Sequence, residues 1–106
     1  MGPEQNLLNT RQKKYLRGLG HHLSPSVIVG REGITDSLLD SCRDSIQAHE
    51  LVKIKLGQNS PLPKKDAADR LARGTGSHLI QLIGKTVLLY RPNPSLPPDD
   101  IIQLPE

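Results

Sequence analysis

Val27-Ile28-Val29-Gly30-Arg31-Glu32-Gly33-Ile34-Thr35 holds a strand, a turn and a helix start in one short stretch. Ser26 to Val29 is a short, largely β-branched run that ends at a glycine, and a buried strand is its simplest reading. Thr35 precedes Leu38, Leu39, Cys42 and Ile46, whose spacing predicts a helix with one apolar stripe, capped by Thr35 and ending near His49. Between strand and helix, Gly30 and Gly33 let the backbone turn tightly and approach a ligand without a Cβ in the way. The first amides of the helix then point outward as anion donors. A phosphate fits such a place, although a plain strand-to-helix turn uses the same residues.

Upstream, Asn9 and Gln12 form a capping-box-like pair, and Tyr15, Leu16, Leu19 and Leu23 recur at helical spacing as far as Ser24-Pro25. Downstream, Leu51 to Leu56 alternates, with Val52, Ile54 and Leu56 facing one way and Lys53 and Lys55 the other. Gly57 to Pro63 is a turn-forming linker, and Lys64 to Arg73 reads as a third helix that stops at Gly74-Thr75-Gly76. Strands over about His78 to Ile83 and Thr86 to Arg91 flank Gly84-Lys85, the right length for a tight hairpin. The order αβαβαββ is that of an α/β protein. Each β-α-β unit requires parallel strands, the last hairpin adds an antiparallel one, and helices packed against a four-stranded mixed sheet make two layers. Pro92, Pro94, Pro97 and Pro98 bar regular structure beyond that point. The expected organisation is a flexible segment 1–7, a domain 8–92, and a disordered, acidic, proline-rich tail 93–106, of which Ser95 to Glu106 can be removed with the thermal midpoint nearly unchanged.

The formal net charge is +3, with 14 Lys and Arg against 11 Asp and Glu. Asp99, Asp100 and Glu106 all fall in the tail, which has no base, so Met1 to Asn93 carries 14 − (11 − 3) = +6. That surplus favours a polyanionic partner. With Tyr15 and Tyr90 the sole Phe, Tyr or Trp residues, platforms for stacking unpaired bases are missing, so backbone and phosphate contacts must carry nucleic-acid binding. Arg11, Lys13, Lys14 and Arg17 cluster on the first helix, with Lys13 and Arg17 one turn apart. Lys53, Lys55, Arg73, Lys85 and Arg91 add charge from other elements, whereas Asp36, Asp40 and Asp44 form an acidic row that RNA should avoid.

Other chemistries find little support. Cys42, the one cysteine, lies on an apolar stripe as an inert core residue and leaves no intrachain disulfide. His21, His22, His49 and His78 show no metal-binding arrangement, so neither a metal nor a cofactor is expected. Asp66 and Asp69, with Arg70 beside them, read as surface pairing. Nothing resembles the apolar core of a signal peptide, and the longest apolar run, Val87 to Tyr90, falls far short of the roughly 20 residues of a membrane helix. A monomeric, non-enzymatic protein of the reducing cytoplasm is the expected setting. The alternatives are a small enzyme or regulator taking a phosphorylated metabolite at the same loop, and a protein-interaction module with an incidental basic face.

Beyond the loop, several ordered motifs point one way. Leu8-Asn9-Thr10-Arg11-Gln12 with Tyr15-Leu16-Arg17, His21-His22-Leu23-Ser24-Pro25, Val27 to Thr35, His49-Glu50-Leu51-Val52-Lys53-Ile54-Lys55, Thr75-Gly76, Gln81-Leu82-Ile83-Gly84 and Val87-Leu88-Leu89-Tyr90-Arg91 together resemble the YhbY/CRM family of RNA-binding domains. The resemblance spans about Leu8 to Arg91. It implies a sheet like that of the carboxy-terminal domain of bacterial translation initiation factor three, and RNA binding through the GxxG loop. For free-standing bacterial members it implies association with ribosomal RNA in large-subunit precursors, and for plant organellar domains a part in intron splicing, so an intron-splicing or RNA-chaperone module is a further alternative. Arg31 supplies the family's basic residue after the first glycine, whereas Glu32 must turn its carboxylate away from phosphate. With Thr35 at the helix start, these loop residues and the bases named above make up the expected RNA surface.

Overall fold

A computed structural model describes residues 8–106; the expected flexible segment 1–7 lies outside the described residues. Helix α1 (Thr10–Gly20) opens with the capping box that Asn9 and Gln12 promised: the Asn9 side chain accepts from the Gln12 amide at 2.7 Å, and the Gln12 side chain accepts from the Asn9 amide at 3.0 Å. Strand β1 is Val27–Val29, and α2 (Asp36–His49) starts where the Thr35 hydroxyl accepts from the Leu38 amide. Strand β2 (Leu51–Leu56), helix α3 (Lys64–Thr75) and strands β3 (His78–Ile83) and β4 (Thr86–Tyr90) follow. Gly84 and Lys85 join the last two as a two-residue turn, with Gly84 at φ +56.

The sheet order is β1-β2-β4-β3. β1 and β2 are parallel, and both pairings of β4 are antiparallel. β3 therefore runs parallel to β2, as a β-α-β unit requires, but with the last strand of the sheet inserted between them. Val29, Val52, Ile54, Leu56, Val87 and Leu89 face α2 and α3 in one core cluster with Cys42, Ile46 and Leu71. Leu51, Leu88 and Tyr90 face the other way and pack with Leu16 of α1 and Ile80 of β3. The expected two layers are thus three. β2 at Leu51-Val52 and β4 at Leu88 to Tyr90 carry apolar side chains on both faces, so each face needs its own cover.

Segment 93–106, expected to be disordered, is docked. The Asn93 amide donates to Glu50 Oε2 at 2.7 Å and the Ile102 amide to Glu50 Oε1 at 2.6 Å, on either side of a 3₁₀ turn at Pro98–Asp100. Ile102 and Leu104 pack beside α1 on the second cluster, and the carbonyls of Pro105 and Glu106 accept from the side chains of Gln12 and Asn9. Prolines exclude helix and sheet but not docking, and here the strap covers apolar surface that α1 leaves bare. It also satisfies Glu50, a fully buried carboxylate at φ 65 that ends α2.

Candidate nucleic-acid interface

The glycine loop leaves β1 at the end of the sheet, called here the near end, that holds the carboxyl ends of β1, β2 and β3 and the amino end of β4. α2 and α3 both begin there, on the loops that leave β1 and β2. Gly30, Arg31, Glu32, Gly33, Thr35 and Leu38 line a concavity of about 390 Å³. The Gly33 amide donates to the Gly30 carbonyl at 3.0 Å, closing the turn. Gly33 needs to be glycine for the fold itself, because it sits at φ +75 and a Cβ would meet the Pro61 ring at 3.2 Å. Gly30 does not. Its φ is not in the left-handed region, and a Cβ there would meet nothing within 4 Å.

Arg31 and Glu32 are both exposed, and Asp36 stands in the first turn of α2. One base against two acids gives the loop no positive charge of its own, so the potential at this end must come from neighbours. Lys55 on β2 and Lys85 in the hairpin are exposed at the same end. The structure adds Lys64 and Lys65, which sequence reasoning passed over. Lys64 and Lys85 line one small concavity with Gly57, Gln58 and Ser60, beside the loop that touches Gly33 through Pro61. The missed signal was electrostatic: Lys64 and Lys65 stand in the first turn of a helix, where the macrodipole disfavours cations, with no side-chain cap and one acid, Asp66, beside them.

The remaining predicted bases do not all join this end. Lys53 is half-buried on the α1 face of β2. Arg11, Lys13 and Lys14 are exposed along α1 and Arg17 is half-buried. Lys13 lies toward the far end, where its charge adds to burial, the larger cause, in lowering the His78 pKa. Arg73 pairs with Asp69 at 3.2 Å near the end of α3. Arg91 donates to the Thr75 carbonyl at 2.7 Å and so serves the carboxyl end of the same helix. These two stand at the far end, about 18 Å away along α3, where they hold the fold's own groups. The acidic row of α2 is exposed, with Asp40 paired to Arg43 at 2.8 Å.

Among the described residues, no three His, Cys, Asp or Glu side chains group to hold a metal ion. Burial pushes the Cys42 thiol up to about 11, so it stays protonated and inert at neutral pH. His78 stacks on Tyr90 and is half-buried, while the adjacent His21 and His22, and His49 at the end of α2, are exposed.

The domain match settles the relationship. Residues 8–91 match the CRS1 / YhbY (CRM) domain. The chain belongs to that family. It is 38% identical over 85 residues to a Bacillus subtilis (strain 168) protein named probable RNA-binding protein YqeI, covering 80% of this chain and 88% of the relative. It is 36% identical over 86 residues to a Haemophilus influenzae protein named RNA-binding protein, covering 81% and 87% respectively. Among solved structures it resembles the solution structure of protein SAV1595 from Staphylococcus aureus, with a TM-score of 0.74 and 33% identity, covering 93% of this chain and all of that one. The CRM domain thus accounts for α1 through β4 and ends where the docked strap begins.

Proposed function

We propose that this CRM protein binds structured RNA as a monomer, by seating backbone phosphates on Gly30 to Gly33 and the amino end of α2. The observation that carries the reading is Gly30. The fold makes no demand for glycine there, and the space a Cβ would fill lies open beside Arg31 on the concavity, as required where a ligand backbone must come close. Lys55, Lys64 and Lys85 supply the positive field that the loop lacks, and Arg11, Lys13, Lys14, Arg17 and Lys53 orient the RNA along the α1 face. Arg73 and Arg91, engaged at the far end, contribute long-range potential rather than contact. The RNA-binding names of the relatives support the ligand class. Ribosomal RNA of large-subunit precursors in the cytoplasm is the target that the family resemblance favours, with binding and not catalysis as the activity.

The test is Arg31→Glu, titrated against a precursor ribosomal RNA fragment over a range of salt. Affinity should fall with the thermal midpoint unchanged, and the slope of log affinity against log salt should flatten by roughly one unit per lost phosphate contact. A folded variant with parental affinity and slope would remove the loop from the interface.

A further inference from the structure

Helix α1 covers only part of its face of the sheet. It stops at Gly20, where a Cβ would come within 2.6 Å of Leu88, and beyond that point the sheet lies bare toward the near end. One cross-strand row fills the bare part: Ile28 on β1 pairs with Lys55 on β2, Lys55 with Thr86 on β4, and Thr86 with Ile83 on β3. Ile28 is 62% exposed and Ile83 60%, the two most exposed large apolar side chains among the described residues. Behind the row, Gly20, His21, Lys53, Gln81, Thr86 and Leu88 line a cleft of about 200 Å³ together with Ile83. No acidic residue is in the row or lines the cleft.

Scattered exposed isoleucines need no explanation, but two in one row, flanking a lysine on an uncovered sheet face, make a surface with a chemical preference. The row spans about 14 Å at the usual strand spacing. Ile28 lies two residues before Gly30, so the row begins where the glycine loop leaves the sheet.

We propose that this row and cleft form a subsite for unpaired nucleotides flanking the RNA segment held at Gly30 to Gly33. Lys53 and Lys55 take the phosphates, Ile28 and Ile83 press against base faces, and Gln81 and Thr86 offer donors and acceptors to base edges. Aliphatic side chains serve elsewhere as wedges against bases, and a chain without Phe or Trp has these in place of aromatic platforms. Charge selects the occupant: a purely apolar protein partner would leave Lys53 and Lys55 without counter-charge at the centre of the contact, whereas a nucleotide chain supplies both an apolar ring and an anion. The subsite rests on the loop reading for its placement, but it has its own signature.

The experiment compares a short blunt RNA hairpin with the same hairpin carrying an unpaired oligouridine extension at either end. The full chain is used as parent, as Ile28→Thr/Ile83→Thr and as Arg31→Glu. Threonine keeps the β-branch and strand preference, and the thermal midpoint of each variant verifies folding. The expected result is a roughly tenfold loss for the isoleucine variant on one of the extended hairpins with less than about twofold on the blunt one, while Arg31→Glu loses on both. Equal affinity of parent and isoleucine variant for every probe overturns the subsite and leaves the loop reading intact. Loss with the isoleucine variant alone retires the loop and keeps the sheet face. A second measurement uses 4-thiouridine in the extension: crosslinks to β1, β3 or the cleft support the subsite, and crosslinks confined to other elements overturn it. Oligomers that the isoleucine variant abolishes, with RNA binding unchanged, would assign the row to a second copy of this chain and also overturn the proposal.

Discussion

The two ends of the sheet are built on opposite terms. At the far end polar groups are tied down: Glu50 holds two backbone amides, Arg91 caps α3, Asn93 reaches the Gln47 carbonyl, and Asn9 and Gln12 each serve α1 and the docked strap at once. At the near end Gly30, Arg31 and Glu32 are exposed, and two lysines stand in the first turn of α3, where the helix dipole resists them. Stability is concentrated at one end, and the proposed binding surface is left open at the other. Substitutions should therefore separate into those that move the midpoint and those that move affinity.

The sharpest way to break that division is to remove Ser95 to Glu106. The deletion takes Ile102 and Leu104 from the second core cluster and one amide from Glu50. It should cost about 3 kcal/mol and lower the midpoint by roughly 10–20 °C, as differential scanning calorimetry would record. An unchanged midpoint would mean that the strap adds nothing to the far end.

Replacing Glu50 with Ala attacks the same end from inside. Two amides lose their acceptor, for a cost of about 2 kcal/mol, and the turn offsets none of it, since alanine is no better than glutamate at φ 65. Glu50→Gly relieves the backbone while losing the same hydrogen bonds, so it should fall less than the alanine variant. Tyr90, pushed up to about 12 chiefly by burial and secondly by the Glu50 charge, should titrate lower in both variants, which an ultraviolet titration reads before alkaline unfolding.

Along the α1 face the expected change is in binding. Lys13→Gln/Lys14→Gln/Arg17→Gln keeps helix propensity and should weaken structured RNA by about tenfold with a flatter salt slope. Asp40→Asn/Asp44→Asn should matter far less near physiological salt, where the Debye length is about 8 Å. If both titrate alike, the basic cluster is a solvated face and the path of the RNA runs past Lys55, Lys64 and Lys85.

The smallest effects divide the loop itself. Gly33→Ala should cost about 1 kcal/mol through its positive φ. Gly30→Ala should leave the midpoint unchanged and lower RNA affinity alone. A midpoint loss at Gly30 equal to that at Gly33 would turn the loop into an ordinary connection.

Sequence reasoning succeeded where one physical rule dominates a short window. The Asn9–Gln12 capping box, the alternation of β2 and the Gly84-Lys85 hairpin are local, and all three are in the structure. Strand order is not local: nothing in β4 alone says that it lies between β2 and β3. The strap was illegible because proline spacing dominated its reading while Ile102 and Leu104, spaced for one apolar contact, went unweighted. Glu50 was equally hidden, since a carboxylate after a helix reads as solvated until its two amide partners are seen, 43 and 52 residues away. The candidate loop was legible as a contiguous unit and Lys55 and Lys85 as bases, but Lys64 was not, because it meets Lys85 only through the fold.

The order β1-β2-β4-β3 has a consequence for synthesis. The strand that completes the middle of the sheet is the last of the four to be made, so a chain growing on the ribosome has β1, α2 and β2 ready long before the partner that seals β2's second edge. Until Thr86 to Tyr90 emerge, that edge offers unpaired amides and carbonyls beside Val52 and Ile54, the kind of surface that holdase chaperones cover. The strand order favours a late step in which the β3-β4 hairpin, formed locally, docks as a unit on the open edge of β2.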